Sequence, residues 1–295
     1  MKTKRDESAI VADQIREKHA LGAGLQRFAT GSVPVYAAGD KYVLKLFPAG
    51  DQVSFQTESA ALARIDGSLS IPTPRVVALG DHSGWSYIAM TRLPGQSLVE
   101  AWPAIPAEDR YRLMRDVGAA LADLHDVSTD DLAPLAVDWS RFMTAQRTSC
   151  RERQTARGLG SPWVEHLDEF LSRCSPRDDG RRVLLHTEVM REHLLVECLA
   201  GGWRLSGLID FEPAMVGAPE YEFAAVGVFL TCAEPGLLRP MLDAYGMPCD
   251  EALPLRLMTY TLLHRFSNLP RYLERLPVPE VPGDLEVLAR RWFTP

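Results

Sequence analysis

The sequence predicts an α+β protein of two lobes: a small antiparallel β-rich lobe carrying one helix, then a larger, mostly helical lobe. Three observations carry this reading. Short β-type runs separated by glycine-containing turns fill most of the first ninety or so residues. A Pro94-Gly95 break then stops the last of these strands. Beyond Pro106, apolar residues recur at helical spacing, interrupted by one β-type island between Val183 and Glu222.

In chain order, Ile10, Val11, Ile15 and Leu21 predict an opening helix over residues 6–21. From Leu25 to Phe47 the runs LQRFAT, VPVYA and KYVLKLF are parted by turns at Gly31-Ser32 and Gly39-Asp40. The Gly31-Ser32 turn is either a plain hairpin turn or a place where backbone N–H groups meet a phosphate, which makes Ser32 a candidate contact. Lys45 lies in the third strand between Leu44 and Leu46. It either faces solvent or supplies a point charge for nucleotide phosphates, with Glu58 as its candidate partner. Glu58 belongs to a helical segment, residues 53–65, whose apolar face is Ala60, Ala61, Leu62 and Ile65. Pro72 and Pro74 end that pattern. A hairpin follows, Val76–Leu79 and Trp85–Met90, for five strands in all.

In the second lobe, residues 108–125 place Tyr111, Leu113, Met114, Val117, Leu121 and Leu124 on one helix face. An Arg-rich surface helix over 139–159 and an amphipathic helix over 162–174 come next. After the β-type island, helices are expected at 221–230, 236–245 and 252–276. The lobes divide as residues 1–94 and 95–295, and the cleft between them is the default place for a small ligand.

Composition narrows the partners. A net charge of −7 disfavours binding to a phosphate backbone, so no nucleic acid is expected, and it suits a cationic small substrate. The five cysteines are widely spread with no CxxC pair, which argues against a zinc site or disulfide framework and fits a reducing, cytoplasmic setting. The N-terminus is basic without an apolar core segment, and no apolar run reaches the roughly 18 residues needed to span a bilayer. No membrane is expected, and a monomer or homodimer is.

The chemistry concentrates in Val183–Glu222. Apolar runs deliver His186, Glu188, Arg191, Glu192 and His193 on one side of a Gly201-Gly202 turn, and Asp210 on the other. Such an arrangement can offer a general base and oxygen ligands for Mg²⁺. Taken alone, it reads first as a hairpin with a solvated polar loop.

The order of the pieces resembles the aminoglycoside phosphotransferase family, small-molecule kinases with a protein-kinase-like bilobal fold, from about Leu25 to Leu276. Val43-Leu-Lys45 resembles the strand with the phosphate-contacting lysine, and Thr57-Glu58-Ser-Ala-Ala-Leu62 the helix with its ion-pair glutamate. Tyr87–Gly95 resembles the run into the adenine hinge, which puts backbone at Thr91, Arg92 and Leu93 against the base. Leu121-Ala-Asp-Leu-His125 is similar to the LxxLH ending of the family's first long helix. His186-x-Glu188-x4-His193 takes the place of the catalytic loop, usually H-G-D-x4-N. Ile209-Asp210-Phe211-Glu212, followed by Gly217-Ala-Pro219 and Glu222, takes the place of the metal-binding segments.

The departures are specific. Glu188 stands for the catalytic aspartate and His193 for the metal-binding asparagine. Thr187 stands for a glycine, a substitution expected to resist positive φ, and Ala218 replaces a loop aspartate. The resemblance implies ATP or GTP and Mg²⁺, with Asp210 and His193 as metal ligands. Lys45 and Glu58 attend the phosphates, Glu188 is the base, and His186 and Arg191 stand beside it in the catalytic loop, Arg191 meeting a phosphate or substrate carboxylate or else pairing with Glu192. The expected activity is phosphoryl transfer to the hydroxyl of an aminoglycoside-like or other natural-product antibiotic. The alternative is a catalytically impaired, pseudokinase-like protein that binds nucleotide or ligand. Glu212, Glu220, Glu222, Asp243 and Glu251 are expected to give the acceptor groove its acid, suited to an amino sugar.

Overall fold

The computed structural model describes residues 4–176 and 178–295. Its first lobe is a five-stranded antiparallel sheet in the spatial order Leu25–Arg27, Val35–Ala38, Tyr42–Pro48, Trp85–Thr91, Val76–His82. Successive side chains point to opposite faces of a strand, and here both faces are covered. Leu44 and Leu46 join Tyr36, Ala38, Tyr87 and Ala89 against Val11, Ala12 and Ile15 of the helix Lys4–Lys18. Phe47 and Ile88 pack on the other face, in the cluster that holds Ala61, Leu62 and Ile65 of the helix Gln52–Ile65.

Two findings follow from that alternation. The opening helix, expected over residues 6–21, covers one face of the sheet and Gln52–Ile65 the other, because the apolar stripe of each needs a partner. Lys45, one residue beyond Leu44, lies on the face of the Glu58-bearing helix and not toward solvent; it is only 6% exposed.

The strand Trp85–Thr91 runs into Gly95, whose φ is +97°. A Cβ there would lie 2.5 Å from both Ser206 Oγ and the Val196 carbonyl oxygen, so only glycine permits this close approach. Gln96–Ser97 then adds an edge to a small sheet with Leu194–Leu199 and Gly202–Leu208, while Val183–Leu185 pairs with Met215–Gly217. Around these lie the helices Ala107–Asp126, Trp139–Ala156, Ser161–Arg173, Leu253–Leu263 and Leu285–Phe293. Leu253–Leu263 runs through the centre of the lobe, buried at every position except Leu255.

Several helix expectations need correction. The segment 252–276 is not one helix: it stops at Leu263, His264 is extended, and Leu269–Leu273 starts afresh. Asn268 caps the new start by accepting from the Arg271 N–H, and Pro270 sits in its first turn, where it has no hydrogen bond to lose. Tyr111 faces outward, 43% exposed, while the other five named positions of its helix are buried. The helix Trp139–Ala156 is no pure surface element, since Trp139, Cys150 and Gln154 are buried. Over Glu222–Leu230 an α-turn passes into a π-turn, Val226–Leu230. Among the described residues, no helix is long and apolar enough to cross a membrane.

Candidate active site

The catalytic-type loop begins where the strand Val183–Leu185 ends. His186 and Thr187 both donate their backbone N–H groups to the Glu222 carboxylate, at 2.7 and 2.8 Å, and Glu222 is fully buried. Two charge-assisted bonds to a buried acceptor fix the loop backbone. Thr187 has φ +69°, so the strain expected from threonine at this position is present and is accommodated. Its hydroxyl donates to the Pro213 carbonyl at 2.9 Å, and the Arg265 guanidinium donates to that hydroxyl at 3.2 Å.

His186 is wholly buried. Its Nδ1 accepts from the Glu188 N–H at 3.3 Å, so Nε2 carries the proton and donates to the Ile209 carbonyl at 3.0 Å. Burial, aided by the neighbouring His193, lowers its pKa to about 4 and keeps the ring neutral. In this geometry His186 ties the loop that carries Glu188 to the loop that carries Asp210 and faces no cleft.

Glu188 presents its side chain to a cavity of about 230 Å³. Burial raises its pKa, with the Asp210 charge adding to the effect and His193 opposing it. A carboxylate pushed upward in this way is a stronger base toward a hydroxyl. Its carbonyl oxygen accepts from His193 Nδ1 at 2.7 Å, which turns His193 Nε2 to Asp210 Oδ2, 3.2 Å away. Burial works against a charged His193, but the Asp210 contact outweighs it and raises the pKa.

Lys45 is the centre of the site. Its Nζ lies 2.6 Å from Asp210 Oδ1, 2.8 Å from Glu58 Oε2 and 2.9 Å from Glu212 Oε2. Burial disfavours its charge, and these three carboxylates outweigh that and raise its pKa. Burial pushes Asp210 up too, but the His193 and Lys45 contacts prevail and hold it well below the usual carboxylate range. Burial raises Glu58 while Lys45 pulls it down. Ser32 Oγ donates to Glu212 Oε1 at 2.6 Å, so the Gly31-Ser32 turn closes over the same cluster.

Glu212 is the residue that sequence reasoning misplaced. It does not line the acceptor groove; it stands beside Lys45. The signal was its position two residues after Asp210, near enough in the chain for both carboxylates to reach one cation, although Asp210 is itself left-handed, with φ +73°. Oxygen atoms of Glu58, Asp210 and Glu212 lie within 4.8 Å of one another. Three carboxylates, that of Glu58 buried and those of Asp210 and Glu212 partly exposed, share one ammonium, which leaves carboxylate oxygen in excess around it. Hard oxygen donors with excess negative charge fit a divalent cation such as Mg²⁺.

Two other expectations change. Arg191 is not brought to the cleft: its guanidinium stacks 3.6 Å from the Trp102 ring centre, donates to the Leu230 carbonyl at 2.7 Å and pairs with Glu234 at 2.7 Å. Its place in the loop suggested a phosphate, but its long side chain leaves on the far side. At the hinge, the Thr91 and Arg92 N–H groups already donate to the Arg75 and Lys41 carbonyls. Those two bonds do not engage the Leu93 amide or the carbonyl edges of Thr91–Leu93. The remaining acids of the expected groove are also elsewhere: Glu220 pairs with Arg256 at 2.9 Å and Asp243 with Arg239 at 2.8 Å, while Glu251 is exposed outside the cavity.

The chain is similar to known proteins over most of its length. The model of the phosphotransferase enzyme family matches residues 24–257. Viomycin phosphotransferase of Streptomyces vinaceus is 24% identical over 176 residues, which span 57% of this chain and 58% of that protein. The solved aminoglycoside 2'-phosphotransferase-IIIa in complex with GDP superposes with a TM-score of 0.75 at 14% identity, covering 99% of this chain and all of that one. The ternary complex of APH(2")-IIa with streptomycin and ATP gives 0.63 at 16% identity, over 86% and 89% of the two chains. APH(3'')-Id from Streptomyces rimosus gives 0.62 at 15%, over 88% and 98%.

Proposed function

The chain belongs to the phosphotransferase enzyme family, and from that premise we propose that it transfers the γ-phosphoryl group of ATP or GTP to a hydroxyl of a small natural product of the antibiotic type. The observation that carries the reading is Lys45 held between Glu58 and Asp210, a cation from the first lobe fixed against a carboxylate of the second. Residues 1–94 are taken as the nucleotide lobe and 95–295 as the lobe of the catalytic loop and acceptor groove.

In this reading Lys45, oriented by Glu58, contacts the nucleotide phosphates, and Ser32 lies over them. The purine meets the Leu93 amide and the neighbouring carbonyls. Glu188 accepts the acceptor's hydroxyl proton as the new O–P bond forms. The bond from the γ-phosphorus to its bridging oxygen breaks, and nucleoside diphosphate leaves. Asp210, Glu212 and His193 would hold Mg²⁺, which supplies charge neutralisation to the phosphates when bound. His186 and Thr187 keep the loop in place through Glu222 and do no bond chemistry.

The test is to incubate the protein with ATP or GTP, Mg²⁺ and a panel of hydroxylated antibiotics. Nucleoside diphosphate release and a phosphate adduct by mass spectrometry are read together. A product that forms with the native protein and is lost in Glu188→Ala is expected. Nucleotide binding without product across the panel would overturn the enzymatic reading in favour of a binding protein.

A further inference from the structure

We propose that the acceptor is a hydroxyl compound of zero or negative net charge, with an apolar face and a carboxylate or similar anionic group held by Arg271 and Arg275. The inference rests on the phosphotransfer reading and narrows its substrate. The cavity beside Glu188 is walled by Val228, Phe229 and Tyr272, with Phe266 half exposed at its rim. Such a surface suits a flat or apolar body.

Four charged side chains share that cavity: Glu188, Glu192, Arg271 and Arg275. Glu188 is the proposed base, and a base locked to a substrate ammonium loses its driving force for taking the proton. Glu192 alone is then left for a cation. Opposite stand two guanidinium groups, and among the described residues neither makes an ion pair or a side-chain hydrogen bond. Arginine's planar fork is matched to carboxylates.

Five of the acids that could meet a polycation are committed to partners within the chain. Glu220 and Asp250 both pair with Arg256, Asp243 pairs with Arg239, Glu222 holds the loop amides and Glu212 holds Lys45. The chain's overall acidity therefore does not reach the acceptor pocket, whose own balance without the base is positive.

A matched pair of probes separates charge from shape: N-benzoylserine, which has a hydroxyl, an aromatic face and a carboxylate, and its neutral amide. Binding is measured by saturation-transfer NMR and calorimetry on protein loaded with a non-hydrolysable ATP analogue and Mg²⁺, with kanamycin as the polycation. The native protein is expected to prefer N-benzoylserine to the amide, and to prefer both to kanamycin. In R271E/R275E, at two exposed positions and with folding checked by thermal melting, the acid should weaken by about tenfold and lose its advantage over the amide. Turnover of a carboxylate-bearing acceptor should fall by a similar factor, the loss lying in KM and not kcat. Equal binding of acid and amide, unchanged binding in the variant, or tighter binding of kanamycin overturns this charge assignment and leaves the phosphotransferase reading standing. Absence of a phosphate product from every acceptor, with the charge preference intact, overturns the phosphotransferase reading instead.

Discussion

Glu222 holds Thr187 in a left-handed backbone conformation: its Oε1 accepts the Thr187 N–H at 2.8 Å while its Oε2 takes the N–H of His186 at 2.7 Å. The sequence position of Glu222, in the segment after Asp210, gave no hint that it acts on a loop 35 residues earlier. Glu222→Ala leaves two buried amides without acceptors, and each unsatisfied group costs about 1–3 kcal/mol. Thermal or urea denaturation of the variant should show a loss of about 3 kcal/mol. A variant within 0.5 kcal/mol of the native protein contradicts this anchoring role.

Lys45→Met removes the one ammonium from among three carboxylates. The consequence is double: nucleotide affinity falls, and Glu58, Asp210 and Glu212 repel one another. Turnover should drop on the order of 100-fold or more. The variant should also become more stable as pH is lowered, because the uncompensated carboxylates then bind protons in the folded state more readily than in the unfolded one. Melting temperature across a pH series reads the sign directly.

Arg191 is assigned a packing role, and the assignment separates stability from chemistry. Arg191→Ala removes a guanidinium stacked on Trp102 and bonded to Glu234, at a cost of about 2–3 kcal/mol. In the fraction that folds, the nucleotide KM should be unchanged. A selective loss of nucleotide affinity, with stability retained, returns Arg191 to the phosphate site.

His264 gives the fold an acid limit. The ring stacks on Tyr221 with centroids 4.7 Å apart, and burial together with Arg265 lowers its pKa to about 3 from 6.5. Its folded pKa lies below the unfolded value, so the unfolded chain binds the proton first. Stability is thus unaffected above pH 6.5 and declines as pH falls from 6.5 toward 3, by about 1.4 kcal/mol per pH unit. His186, lowered to about 4, adds a slope of the same sign, so His264→Phe should lessen the fall of the urea midpoint over this range without abolishing it.

Glu212 is testable as a metal-site residue. Glu212→Ala should weaken Mg²⁺ dependence of nucleotide binding by about 10-fold. Titration of Mg²⁺ against a fluorescent nucleotide checks this. An unchanged Mg²⁺ midpoint leaves Asp210 and His193 as sufficient ligands.

What could be read from the chain depended on whether function lies in a local pattern. The alternation around Leu44, Lys45 and Leu46 marked a strand, and the order of Lys45, Glu58, Glu188 and Asp210 marked a bilobal kinase-like architecture, which the fold and the family match both show. Long-range pairing carries no such pattern. Nothing near Arg191 says that its side chain turns back to Trp102. Nothing near Glu220 says that it meets Arg256. Acid counted along a sequence is acid before pairing, which is why the expected anionic groove does not form. The break at His264 was hidden for a similar reason. Leu269 and Tyr272 continue the apolar spacing of Leu253–Leu263, and only the Asn268-Leu-Pro270 cap marks a new start.

The threefold grip on Lys45 bears on how the resting protein meets its nucleotide. An ammonium already satisfied by carboxylates of both lobes is a latch, and the incoming phosphates must draw it away before they can be held. The free energy of that exchange is subtracted from the observed affinity. A cation that arrives with the nucleotide takes over the carboxylates as Lys45 leaves them, so the two exchanges favour each other. Free of ligand, this latch and the Ser32–Glu212 bond both join the lobes, and hydrogen exchange around the Gly31-Ser32 turn should quicken once the latch is released.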